Sequence, residues 1–156
     1  MLIVKNSQRY FLQSQSWPMI RLALSMIRVA DSYLRKECGL SHAQFKLLVI
    51  LQKFPGITQN DLAKSAHLTP AAVSRIVNIL AEKKFIHRKV NPSNHRENIM
   101  VVSELGLKQF QQAVEVLNGI EKKLYNSFST EKLKKWNDVT EEILAKLEKM
   151  FGECFC

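Results

Sequence analysis

Turn-forming residues are scarce: 5 glycines and 4 prolines are spread over 156 residues. That is too few for the frequent reversals of a sandwich or barrel, and it favours long helices. The three cysteines, Cys38, Cys154 and Cys156, are odd in number and fit neither a disulfide framework nor a four-ligand zinc site. A reducing cytosol, and so a cytoplasmic protein, is the simplest setting. No apolar run near the N-terminus approaches the roughly 18 residues that span a bilayer. The longest uncharged stretch there, Phe11 to Ile20, is interrupted by Gln13, Ser14, Gln15, Ser16 and Pro18. Neither a signal peptide nor a membrane helix is expected. A glycine-rich phosphate loop is missing, and no Ser or Cys sits in a recognisable catalytic motif, so no enzyme, cofactor or metal site is expected.

Acidic residues are also short, 14 against 23 Lys and Arg, which leaves a net charge of +9. Residues 1–54 hold 8 basic and 2 acidic side chains, residues 55–102 hold 7 and 3, and residues 103–156 hold 8 and 9. A polyanion such as DNA would therefore be met by the first two thirds of the chain. The neutral remainder must do something else.

What is present is helical periodicity. From Pro18 to Glu37 the polar residues Arg21, Ser25, Arg28, Ser32 and Arg35 recur at steps of three and four, drawing a narrow stripe on an otherwise apolar helix. Flanked by apolar residues, these arginines fit buried ion pairing better than a membrane surface. A second seam runs through Leu107, Phe110, Val114, Leu117, Ile120, Leu124 and Phe128, and a third through Leu133, Trp136, Ile143, Leu147 and Met150. Ser103 and Ser129 read as their N-caps. Long apolar helices at both ends of one short domain, residues 18–37 and 103–151, suggest an intertwined homodimer rather than a monomeric core.

Residues 41–102 carry the informative pattern. Ser41 with Gln44 forms a capping box, Thr58 with Asp61 a variant of one, and Thr69-Pro70 a third helix start, because proline at the first helical position loses no hydrogen bond. Leu62, Ala63, Ala66, Leu68, Val73, Ile76 and Leu80 fall where two short helices crossing steeply bury their contacts, with a tight turn at His67-Leu68. This is a helix-turn-helix pattern. The face left outside on its second helix is Ala71, Ala72, Ser74, Arg75 and Asn78. Its small first residues would let a helix enter a groove, Ser74 and Arg75 can donate to phosphates or base edges, and Asn78 could read an adenine. After Phe85 the period becomes two: Ile86, Arg88 and Val90, the turn Asn91-Pro92-Ser93-Asn94, then Ile99 to Val102 form a hairpin, or wing, over 86–102, with His95 and Arg96 near its tip. The expected fold is mainly α with a small β-hairpin, a winged helix-turn-helix between long terminal dimerisation helices. Its candidate DNA-binding residues are Thr69, Ala71, Ser74, Arg75, Asn78, His95 and Arg96.

The run Leu62-Ala63, Thr69 to Val77, Lys83-Lys84-Phe85-Ile86, Arg88 and Asn91 to Arg96 resembles the multiple-antibiotic-resistance regulator (MarR) family over roughly residues 41–106. The resemblance implies a homodimeric winged-helix transcription factor, usually a repressor, whose small-molecule effector pocket lies between the dimer interface and the DNA-binding lobe. It gives the major-groove contacts to Ser74 and Arg75 and the minor-groove contact to Arg96, on a pseudo-palindromic double-stranded operator. Two departures stand out. Asn91 and Asn94 occupy wing positions where the family usually has aspartates, and Lys84 stands where it prefers glycine. The missing aspartates motivate an alternative, a winged-helix module that recruits a protein and has lost tight DNA binding. A redox role for Cys38, or metal binding by Cys38 with His42 or by Cys154 with Cys156, has less in its favour: no neighbouring base activates Cys38, and the long helix after Ser103 has no histidine.

Overall fold

The helix starts marked by the sequence are the ones that form. A computed structural model describes residues 14–92 and 94–151 of the chain. Among these, six helices and two strands follow in the order α1 (Ser16–Cys38), α2 (His42–Lys53), α3 (Gln59–Ala66), α4 (Pro70–Glu82), β1 (Ile86–Asn91), β2 (Asn94–Val102), α5 (Glu104–Tyr125) and α6 (Thr130–Phe151). Ser41 and Gln44 complete a reciprocal capping box at α2, while Thr58, Thr69 and Ser103 accept the N–H groups of Asp61, Ala72 and Gly106. Ser129 Oγ accepts from the Lys132 N–H at 3.3 Å. Each cap satisfies a donor that the helix itself cannot. At the other ends, Gly39 and His67 take the left-handed conformation that stops α1 and α3.

The core lies in the central lobe. Leu47, Leu48 and Leu51 of α2, Leu62 and Ala66 of α3, and Val73, Val77 and Leu80 of α4 are buried together. Ala63 is buried where α4 crosses α3, as its small size requires. The antiparallel hairpin pairs Ile86 with Val102 and Arg88 with Met100. Ile86 and Met100 turn into the core. The hairpin is tied to the start of α3 by the Met100 N–H, which donates to the Ile57 carbonyl at 3.1 Å.

Around this lobe the long helices are only half used. α1 packs along α5, and the Gln109 and Gln112 amides of α5 donate to the Cys38 and Glu37 carbonyls, at 2.8 and 2.9 Å, closing the end of α1. Ile20, Leu22, Leu24 and Ile27 of α1 nevertheless remain exposed, as do Leu124, Phe128, Trp136 and Val139 of α5, the turn after it and α6. None of the α6 residues whose burial is described is buried. The arginine stripe differs from expectation: Arg21 and Arg28 lie exposed, and Arg35 pairs with Asp31 at 2.6 Å in a surface contact that is itself 64% exposed on the arginine side. In a single chain α1 has no second layer on that side to bury them.

Candidate nucleic-acid interface

The start of α4 is built to stand clear of the body. Thr69 caps it, Pro70 fills its first position, and the αL turn at His67 swings it across α3. With Val73, Val77 and Leu80 pinned inward, helical spacing turns Ala71, Ser74, Arg75 and Asn78 outward. Ala71, Arg75 and Asn78 are exposed and Ser74 is half-buried. Thr69 is exposed beside them, its hydroxyl committed to the Ala72 N–H at 3.2 Å. The result is an exposed ridge that, among the described residues, carries one guanidinium and no carboxylate, suited to an anionic groove.

The hairpin runs beside this ridge and ends at the turn around Pro92. Ser93 lies outside the described residues. His95 and Arg96 belong to β2 next to the turn, but their side chains, and so their expected part in the site, lie outside what the structure describes. The junction between ridge and hairpin is firmly clipped. Lys84 adopts φ +60°, the left-handed conformation that glycine takes without strain. Its carbonyl accepts the Ser103 hydroxyl at 2.6 Å, and the Phe85 carbonyl accepts the Ser103 N–H at 2.9 Å. Gly106 lies so close that a Cβ there would stand 2.0 Å from the Phe85 oxygen. The segment after α4 and the start of α5 are therefore joined by two hydrogen bonds and a close backbone approach.

One residue not singled out for the site by sequence is placed in it by the fold. Arg88 of β1 donates from Nη2 to Asn78 Oδ1 on α4. Its alternation with Ile86 was the available signal, since it puts Arg88 on the hairpin face that meets α4. His42 lies away from the ridge, at a cavity of about 690 Å³ between α1, α5 and α6. Met26, Leu117, Ile120 and Trp136 give that cavity an apolar wall, with Glu121 and Lys132 among its polar groups. Burial pushes the His42 imidazole below its ordinary value; Asp31 opposes this and Lys46 adds to it. Asp31 is held below the usual carboxylate range by the Arg35 guanidinium and by the His42 N–H, which it accepts at 2.7 Å.

The cysteine readings narrow. Cys38 is buried, and burial, aided by Glu37, pushes its thiol up, away from the reactive thiolate. Cys154 and Cys156 lie outside the described residues. Among the described residues no group of three or more His, Cys, Asp or Glu could hold a metal ion, and no helix is long and apolar enough to cross a membrane.

Residues 40–98 match the MarR family. Over 93 residues the chain is 30% identical to the uncharacterized HTH-type transcriptional regulator YdcH of Bacillus subtilis (strain 168), an alignment covering 57% of this chain and 63% of YdcH. The chain thus spans a little under two thirds of that relative. The fold is similar to a crystal structure of MarR, with 25% identity, a TM-score of 0.77, and 91% and 99% of the two chains covered. It is also similar to MepR of Staphylococcus aureus in its DNA complex, with 24% identity, a TM-score of 0.73, and 86% and 98% covered.

Proposed function

From its membership of the MarR family, carried by residues 40–98 and by the fold, we propose that this chain is a DNA-binding transcriptional regulator. The family and its structural relatives are transcription regulators, not enzymes. The observation that carries the proposal is the exposed, capped start of α4, with Ala71, Ser74 and Arg75 outward and no acidic group among them. In this reading Thr69 and Asn78 belong to the same surface, and His95 and Arg96, in β2 beside the turn, supply the DNA contacts of the wing. MepR, a relative in fold, has been crystallised with DNA.

The finer reading is a homodimeric, cytoplasmic repressor released by a small molecule. Residues 1–156 form one winged-helix domain, with 18–37 and 103–151 as dimerisation helices around a DNA-binding lobe over 41–102. Support for the dimer comes from the apolar side chains left uncovered on α1, α5 and α6. A patch of that extent on a lone soluble chain is a site of association. Support for an effector comes from the apolar cavity of about 690 Å³, within the size range of small-molecule sites. A two-fold dimer would offer two α4 helices to successive major grooves of a pseudo-palindromic operator, with half-site centres about 10 bp apart.

Selection from a randomised duplex pool, followed by binding across a salt series, tests this. A selected half-site repeat, with affinity falling as salt rises, is expected. Arg75→Ala should weaken specific binding by about 1 to 3 kcal/mol if Arg75 reads a base, and lessen the salt slope uniformly if it touches phosphate. Affinity of Arg75→Ala unchanged from wild type on every duplex rejects the assignment of this surface. Light scattering decides the dimer.

A further inference from the structure

We propose that Arg88 is a specificity-determining residue acting through Asn78: it fixes the Asn78 amide as a donor, so that this position of α4 selects guanine over adenine in the major groove. The inference rests on the DNA-binding reading above and deepens it.

The placement follows from strand alternation. Ile86 and Arg88 share one face of β1, and their cross-strand partners are Val102 and Met100. Ile86 is 1% exposed and Met100 0% exposed, so this face looks into the lobe. Arg88 is the next residue on that face, at the edge of the core, and it meets Asn78 where α4 passes. Asn78 stands one helical turn beyond Ser74 and Arg75 on the same outward ridge. Both members of the pair are exposed, so neither is a core contact that merely happens to be polar.

The chemistry then decides what the pair can read. A guanidinium carries five N–H donors and no acceptor, so only the oxygen of the amide can face it; the reversed amide would set donor against donor. With Oδ1 engaged by a charged donor, Asn78 offers its NH₂ group to other partners. The bidentate pair of asparagine with adenine needs Oδ1 to accept from the N6 amine while Nδ2 donates to N7. Here the amine of adenine would approach an oxygen already bonded to a cation, with the guanidinium alongside. Guanine instead presents O6 and N7, both acceptors. These match the Nδ2 hydrogens of Asn78 and the spare N–H groups of Arg88. The expectation from sequence, that Asn78 could read adenine, treated the amide as free to use both ends.

The test is the base-preference profile from the same randomised duplex pool, taken with the full chain. Wild type should prefer guanine over adenine roughly tenfold at one position of each half-site. Asn78→Ala should flatten that position alone. Arg88→Met, which keeps an unbranched side chain and removes the donors, should bring guanine and adenine there to parity or favour adenine, with other positions unchanged. Arg88→Lys should fail to restore the preference, because an ammonium does not reproduce the planar fork. Both sites are exposed, and thermal melting confirms that each variant is folded; if Arg88→Met were not, Asn78→Ala carries the test. Uniform loss of affinity in Arg88→Met with an intact profile, rescued by lysine, would make Arg88 a phosphate anchor and overturn the proposal. An unchanged profile in Asn78→Ala overturns it too. A wild-type chain that binds no duplex overturns the DNA-binding reading itself, which is a different result from either.

Discussion

Replacing Gly106 by alanine probes how closely the start of α5 is seated against the segment that follows α4. A Cβ at Gly106 would stand 2.0 Å from the Phe85 carbonyl oxygen, and 2.9 Å from both the Phe85 carbonyl carbon and Val102 Cγ1. The obstacle is backbone, which cannot rotate aside as a long side chain would. The start of α5 would have to retreat by roughly 1.4 Å to reach ordinary nonbonded separation. That retreat stretches the Ser103 N–H bond to Phe85 at 2.9 Å and the Ser103 hydroxyl bond to Lys84 at 2.6 Å. Overpacking costs about 1 to 3 kcal/mol, and two weakened hydrogen bonds about 0.5 to 1.5 kcal/mol each. The better helix propensity of alanine returns about 1 kcal/mol. The balance is a destabilisation of about 1 to 5 kcal/mol. Gly119, in the same helix, is the internal control: its Cβ would meet nothing within 4 Å, so Gly119→Ala should stabilise by about 1 kcal/mol. Urea unfolding at one fixed protein concentration reads both, since stability of an associating chain depends on concentration. Shifts of opposite sign are expected. A Gly106→Ala protein as stable as wild type would refute the close seating.

Lys84 at φ +60° should tolerate glycine well: Lys84→Gly keeps the N–H bond to the Ala81 carbonyl and the carbonyl's bond from the Ser103 hydroxyl and relieves left-handed strain, so stability should rise by several tenths to about 1 kcal/mol despite the greater unfolded-state entropy of glycine. A fall in urea midpoint would argue against strain there. Deleting residues 129–156 removes α6, and with it part of the uncovered apolar surface assigned to the dimer, so the truncated chain, with the apolar faces of α1 and α5 left unpartnered, should aggregate or unfold; a soluble monomer with a sharp melt contradicts the dimer reading. Because burial lowers the His42 pKa from its ordinary 6.5, the unfolded chain binds the proton more readily than the folded one. Its contribution to stability is therefore full above about pH 6.5 and is lost as the pH falls through the lowered value. His42→Gln should flatten that part of the stability profile, and an unchanged slope between wild type and variant would assign it to other groups.

Much of the architecture was legible because it is local. The caps at Ser41, Thr58, Thr69, Ser103 and Ser129 involve partners three residues on, so the spacing of side-chain oxygen and free N–H is written in the sequence itself. Of the inward set read from sequence, Leu62, Ala63, Ala66, Val73 and Leu80 are buried, as helical period requires, whereas Leu68 and Ile76 are half-buried and Val77, outside that set, is buried instead. The period also leaves Ala71, Ser74, Arg75 and Asn78 on one ridge, which is why the candidate surface could be named before its shape was known.

Contacts between elements were a different matter. Arg88 and Asn78 are ten residues apart, on a strand and a helix, and no period relates them. Only the packing of the hairpin against α4 makes one the partner of the other. Arg21 and Arg28 looked like buried pairs on a helical wheel, yet one chain supplies no layer above them. Gly106 is unremarkable in sequence and becomes a constraint only when the Phe85 carbonyl is brought against it. Sequence alone thus determined where each helix begins and which face it turns inward, because those are set within one or two turns. The tertiary structure decided which polar groups meet, because that depends on how separate elements pack, and packing is settled by the whole core at once.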